Sequence, residues 1–65
     1  MVDNIRKICK EKGTRISVLE TKAGLPRGSI YKWDTNVPSI WKVATVANVL
    51  EVTVDEIINE ERKEN

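Results

Sequence analysis

The sequence predicts an all-α fold, and three observations carry that expectation. Apolar residues recur at three- and four-residue steps in short stretches. Glycine or proline separates most of those stretches, and Thr53-x-x-Glu56 has the form of a capping box at a helix start. With 65 residues, the chain is expected to form one domain over 1–65, with an ordered core of about 4–58 and a charged tail over 59–65.

The first helix is expected from Asn4 to Lys12, with Ile5, Ile8 and Cys9 facing inward. Asp3 or Asn4 can cap it, and Gly13 can end it. The second runs from about Ile16 to Ala23, with Ile16, Leu19 and Ala23 on one face and Thr14 or Ser17 as candidate caps. Arg15 stands where a capping serine is expected and opposes the helix dipole, a local cost of about 0.5 kcal/mol. Either it faces a phosphate or it is an ordinary exposed arginine.

Ala23-Gly24-Leu25-Pro26 breaks the pattern. Gly24 can take the left-handed conformation that ends a helix, and Pro26 fixes a dihedral suited to starting the next. The third helix is expected from about Pro26 to Asp34, with Ile30 and Trp33 inward and Arg27, Gly28, Ser29, Tyr31 and Lys32 largely free. The fourth is expected from about Ser39 to Leu50, with Ile40, Val43, Ala44, Ala47 and Leu50 as its inward stripe. The fifth starts at the Thr53 capping box, with Val52 and Ile57 at the two positions of a hydrophobic staple. Trp41 lies one residue off the inward stripe, and either covers the preceding loop or contacts a partner; intramolecular packing is the preferred reading.

Composition narrows the function classes. There is no histidine and one cysteine, so the chain lacks both a zinc-ligand set and an activated nucleophile of the usual kind. Three scattered glycines make no phosphate-cradling loop. The expectation is a chain that is not an enzyme, with no cofactor, no metal and no small-molecule substrate. Cys9 reads as a small core residue in a reducing compartment. No apolar run approaches a membrane span and the first residues start no signal peptide, so a cytoplasmic protein with no membrane partner is expected.

The net charge of +1 conceals an asymmetry: nine basic against four acidic residues through Lys42, and two against six from Val43 onward. One face for phosphates and another turned away from them would produce this pattern; so would two solvated surfaces that happen to differ.

Residues 14–34 have the sequence form of a helix-turn-helix, whose second helix enters the DNA major groove. Arg27 can donate two hydrogen bonds to guanine O6 and N7, with phosphate contact as the alternative. Gly28 offers close backbone approach or is a lapse in helix propensity worth about 1 kcal/mol. Ser29 suits a base edge, a phosphate or a local cap. Tyr31 suits a thymine methyl, a phosphate or solvent, and Lys32, one turn after Gly28, a base or phosphate. Thr14, Arg15, Ser17, Thr35 and Asn36 are the candidate phosphate contacts, although a plain turn also explains Thr35 and Asn36.

The chain resembles the phage repressor and Cro-type helix-turn-helix family (the lambda-repressor-like class) from about Ile5 to Ile58. The resemblance rests on Ile5 and Ile8 before Lys12-Gly13, on Leu19 and Gly24, and on Gly28-Ser29-Ile30-Tyr31-Lys32-Trp33-Asp34. It continues through Pro38-Ser39-Ile40, Val43, Ala47 and Leu50 to Val52-Thr53-Val54-Asp55-Glu56-Ile57. It implies a compact five-helix domain binding double-stranded operator DNA, usually as a symmetric homodimer. Four positions depart from the family pattern: Ile16 in place of a phosphate-touching glutamine, Glu20 in place of a small residue, Pro26 in place of a capping serine and Glu51 in place of a glycine. A dimer interface is expected at Val49 and Ile58, which leaves the third helix free for DNA. The expected function is sequence-specific transcriptional regulation, as a Cro-like or mobile-element repressor. The alternative is a protein-interaction module, antitoxin-like, using the same fold to grip a protein partner.

Overall fold

A computed structural model describes residues 1–59. It is all-helical, with no strand among the described residues: α1 (Val2–Glu11), α2 (Ile16–Ala23), a 3₁₀ turn (Ile30–Lys32), α3 (Ile40–Leu50) and α4 (Val54–Ile58). α2 packs on α3, α1 on α4 and α3 on α4. None of the helices is long and apolar enough to cross a membrane. The tail expected to fray lies, beyond Asn59, outside the described residues.

One aliphatic core joins all the elements. Ile5, Ile8, Leu19, Ile30, Trp33, Val43, Ala47, Leu50 and Ile57 are buried together, with Val2, Cys9, Ile16 and Val46 completing the cluster. Burial pushes the Cys9 thiol pKa up, as desolvation disfavours the thiolate. On α3 the inward stripe differs from the expected one. Val46 is fully buried while Ile40 is 57% exposed and Ala44 only half-buried, because the first turn of α3 projects past the core and the stripe begins at Val43.

Three helices stop by the same device. At the end of α1 the Thr14 N–H donates to the Cys9 carbonyl (2.9 Å) and the Gly13 N–H to that of Lys10 (3.2 Å). Leu25 and Gly24 repeat this on Glu20 and Thr21, and Val52 and Glu51 on Ala47 and Asn48. Each is a Schellman arrangement, which needs a left-handed residue just past the helix. Gly13 and Gly24 supply it at φ +71° and +72°, but Glu51 adopts φ 61° with a side chain attached.

The helix starts follow the expectations less closely. α1 begins two residues earlier than expected, and neither Asp3 nor Asn4 caps it. Asp34 does so from across the fold: its Oδ1 accepts from the Val2 N–H at 3.3 Å and the Met1 amino group at 3.2 Å. Those bonds, first that from Val2 and then that from the amino group, hold the Asp34 carboxyl below its ordinary pKa. Asn4 instead donates its side-chain amide to the Ile57 and Asn59 carbonyls, which fastens the end of α4 to α1. No side chain caps α2, neither Thr14 nor Ser17. α4 begins at the expected capping box, with the Glu56 N–H on Thr53 Oγ1 at 3.2 Å and the Thr53 N–H on Glu56 Oε2 at 3.1 Å.

The largest departure is the third helix. In place of a regular α-helix from Pro26 to Asp34, the chain makes turns around the short 3₁₀ segment Ile30–Lys32. Four of its bonds span three residues, Ser29 to Pro26, Lys32 to Ser29, Trp33 to Ile30 and Thr35 to Lys32, and one at its end spans four, Asn36 to Lys32. Gly28 at φ +83° is the local cause, since a left-handed residue interrupts an α-helix.

Candidate functional site

The segment from Pro26 to Asn36 is anchored from below by Ile30 and Trp33, both buried against the core. Between them and on either side, Arg27, Tyr31, Lys32, Thr35 and Asn36 are exposed, and Gly28 and Ser29 are half-buried. Alternation of this kind follows from tight turns in which every third residue returns to the core.

Glu20, on α2, organises the start of the segment. Its side chain is only 2% exposed. Oε1 accepts from the Gly28 N–H at 2.9 Å and Oε2 from the Ile30 N–H at 3.1 Å. A carboxylate accepting backbone N–H groups makes stronger bonds than a neutral acceptor, which offsets part of the cost of burying it. The position was visible in the sequence only as a departure from the family pattern.

A groove of about 350 Å³ runs along one side of the segment, lined by Arg27, Ser29, Lys32, Asn36 and Lys42 over a floor that includes Trp33 and Pro38. Among the described residues, no acidic one lines it. The Ser29 Oγ is excluded from solvent and has no hydrogen-bond partner among the described residues. Arg27 also borders a second depression of about 260 Å³ with Ser17, Thr21 and Glu20, so it stands on the ridge between the two.

The structure therefore brings together Arg27, Ser29, Lys32 and Asn36, with Ser17 on the far side of Arg27. It adds Lys42, which the sequence reading had only as the last cation of the basic half. Other expected members lie elsewhere. Tyr31 faces α1, where the Arg6 guanidinium sits 5.8 Å from its ring centre, a cation–π contact. Thr14 lines a separate hollow with Lys12, Lys22 and Val49. Arg15 is the exposed N-cap of α2, and Thr35 uses its hydroxyl locally on the Lys32 carbonyl at 3.2 Å.

Trp41 corrects the preference for intramolecular packing. It is 78% exposed, and Ile40 before it and Val37, itself 81% exposed, are exposed as well. Of the two residues expected at a dimer interface, Ile58 is exposed and Val49 is half-buried against the core. Among the described residues no group of three or more His, Cys, Asp or Glu is placed to hold a metal ion.

These features define a small α-helical domain whose described residues include a groove lined by three cations, Arg27, Lys32 and Lys42. Compared with protein-family models, with curated proteins and with solved structures, the chain matches none.

Proposed function

We propose that the chain is a sequence-specific, double-stranded DNA-binding regulator of transcription, of the phage repressor and Cro type, acting as a dimer on an inverted-repeat operator. The observation that carries this reading is the groove itself. Three cations, Arg27, Lys32 and Lys42, line it with the polar side chain of Asn36 and, among the described residues, no carboxylate. Phosphates supply the attraction for such a surface, and side chains projecting from a rigid segment supply discrimination between base edges. The separation of basic and acidic halves agrees with it, and so does the resemblance of the α2-to-Asp34 region to a helix-turn-helix.

Arg27 is the foremost candidate for base reading, because it stands on the ridge at the start of the segment. Lys32 supports it, and Lys42 and Asn36 clamp the flanking phosphate backbone, whereas the Ser29 hydroxyl, shut off from solvent, is in no position to read a base edge. Tyr31 contributes less than the sequence implies, since its ring is engaged with Arg6. The segment carrying these residues is a 3₁₀ turn with flanking turns, so it presents a short edge to the groove and not a long helical face.

Selection from a random pool of duplexes tests the proposal. Enrichment of an inverted repeat, with half-sites about one helical turn (roughly 34 Å) apart, is the expected outcome. A pool that stays random after repeated rounds at low salt refutes it.

The second reading is a protein-interaction module, and Val37, Ile40 and Trp41 favour it as large apolar side chains exposed within five residues of sequence. Under that reading Trp41→Ala abolishes capture of a partner polypeptide while duplex selection is unaffected.

A further inference from the structure

We infer that Glu20 is a positioning residue that sets sequence discrimination at the candidate DNA-reading edge. This inference rests on the DNA reading above. Glu20 is buried at 2% exposure on α2, and among the described residues it makes no ion pair. A carboxylate taken out of water without a cation needs strong hydrogen-bond donors around it. Here the donors are two backbone amides of the reading segment, Gly28 on Oε1 and Ile30 on Oε2. The two amides bracket Ser29, and the first of them directly follows Arg27. Glu20 therefore clamps the stretch of backbone that begins directly after Arg27, whose side chain lines the groove.

The conformation of Gly28 fits that clamp. Its φ is +83°, yet nothing stands within 4 Å of where a Cβ would sit. Packing does not demand glycine there; the backbone angle does. Glu20 and Gly28 thus form one device, a left-handed turn held by a buried carboxylate.

The consequence falls on discrimination more than on attraction. Phosphates are drawn by charge over several ångströms and tolerate a loose surface, whereas base edges are read only by donors and acceptors held in place. Loss of the Glu20 carboxylate frees the segment and also removes a negative charge beneath it. Binding to arbitrary duplexes is then unchanged or stronger, while binding to the selected duplex weakens. A substitution that merely destabilised the fold would weaken both.

The test uses Glu20→Gln, which keeps the shape and removes one acceptor. Amide hydrogen exchange on the free protein comes first, since it needs no DNA. Glu20→Gln is expected to speed exchange at Gly28 or Ile30 by about tenfold while Leu19 and Val46 keep their protection. The second readout is the ratio of affinities for the selected and a scrambled duplex, expected to fall by about tenfold with the scrambled affinity equal or higher. Unchanged exchange at both amides, or an unchanged ratio, overturns the inference. If Glu20→Gln does not fold, Gly28→Ala, which strains the same turn through its backbone angle alone, carries the ratio measurement with the same expected fall. A wild-type chain that selects no duplex overturns the DNA reading and with it the role in discrimination, while the exchange result still decides whether Glu20 clamps the segment.

Discussion

Replacing Glu51 by glycine should stabilise the protein. Glu51 ends α3 in the left-handed conformation, φ 61° and ψ 42°, with its N–H on the Asn48 carbonyl at 3.1 Å. For a residue with a Cβ that conformation costs about 1–2 kcal/mol. Glycine removes the cost but adds about 0.5–1 kcal/mol of backbone entropy to the unfolded chain. A further few tenths of a kcal/mol come from removing a negative charge at the negative end of the helix dipole. The expected net gain is about 1 kcal/mol, or a rise in Tm of roughly 4–8 °C for a domain of this size. Thermal unfolding followed by circular dichroism measures it. Glu51→Ala separates the contributions, since it removes the charge and keeps the Cβ, and it should gain only the electrostatic part. A Glu51→Gly variant no more stable than Glu51→Ala refutes the argument from backbone strain.

Leu50, buried at the end of α3 beside that cap, should cost about 2–5 kcal/mol when cut to alanine, as read by urea unfolding; an unchanged midpoint contradicts its place in the core. Asp34 has a folded-state pKa below its ordinary value of 3.8, so its contribution is fully present above about pH 4 and fades as pH falls toward the folded pKa. Asp34→Asn should flatten the acid limb of the stability curve below about pH 4, and an identical limb in both proteins counts against the α1 cap. Arg27→Ala should cost about 1–3 kcal/mol on the selected duplex and relax the preference at one base pair of each half-site. Arg15→Ala should instead weaken all duplexes alike and lower the salt slope by about one unit; an equal loss on selected and random DNA for Arg27→Ala removes it from the base readers. Ile58→Glu should weaken the dimer in sedimentation, and an undiminished dimer moves the interface elsewhere.

What the sequence made legible was whatever depends on neighbours. Thr53 and Glu56 meet within one turn, so their spacing alone announces the start of α4. Gly24 ends α2 because few other residues accept its φ cheaply, and that too is a local property. Ile5, Leu19 and Leu50 were readable from helical spacing. Contacts between distant segments were not readable. Nothing near Asp34 announces that it caps a helix whose first turn is more than thirty residues away. Glu20 has the composition of a surface residue, and its burial follows only from donors that a left-handed Gly28 turns toward it. The same interaction explains why the third helix shortens to a 3₁₀ turn, although Pro26 and the apolar spacing both favour a helix. Ile40 departs for a simpler reason: a periodic stripe does not show where along its length the core begins. Trp41, off that stripe, depended on where the preceding loop runs, which spacing does not give.

The account turns on whether the edge from Arg27 to Asn36 meets DNA. Titrating the selected duplex into isotope-labelled protein and following the backbone amides by NMR tests this directly. Perturbations should concentrate at Arg27–Lys32, Asn36 and Lys42, with those at α4 small, and they should weaken steeply as salt is raised. Perturbations confined to Val37, Ile40 and Trp41, or spread evenly over the surface and indifferent to salt, would contradict it.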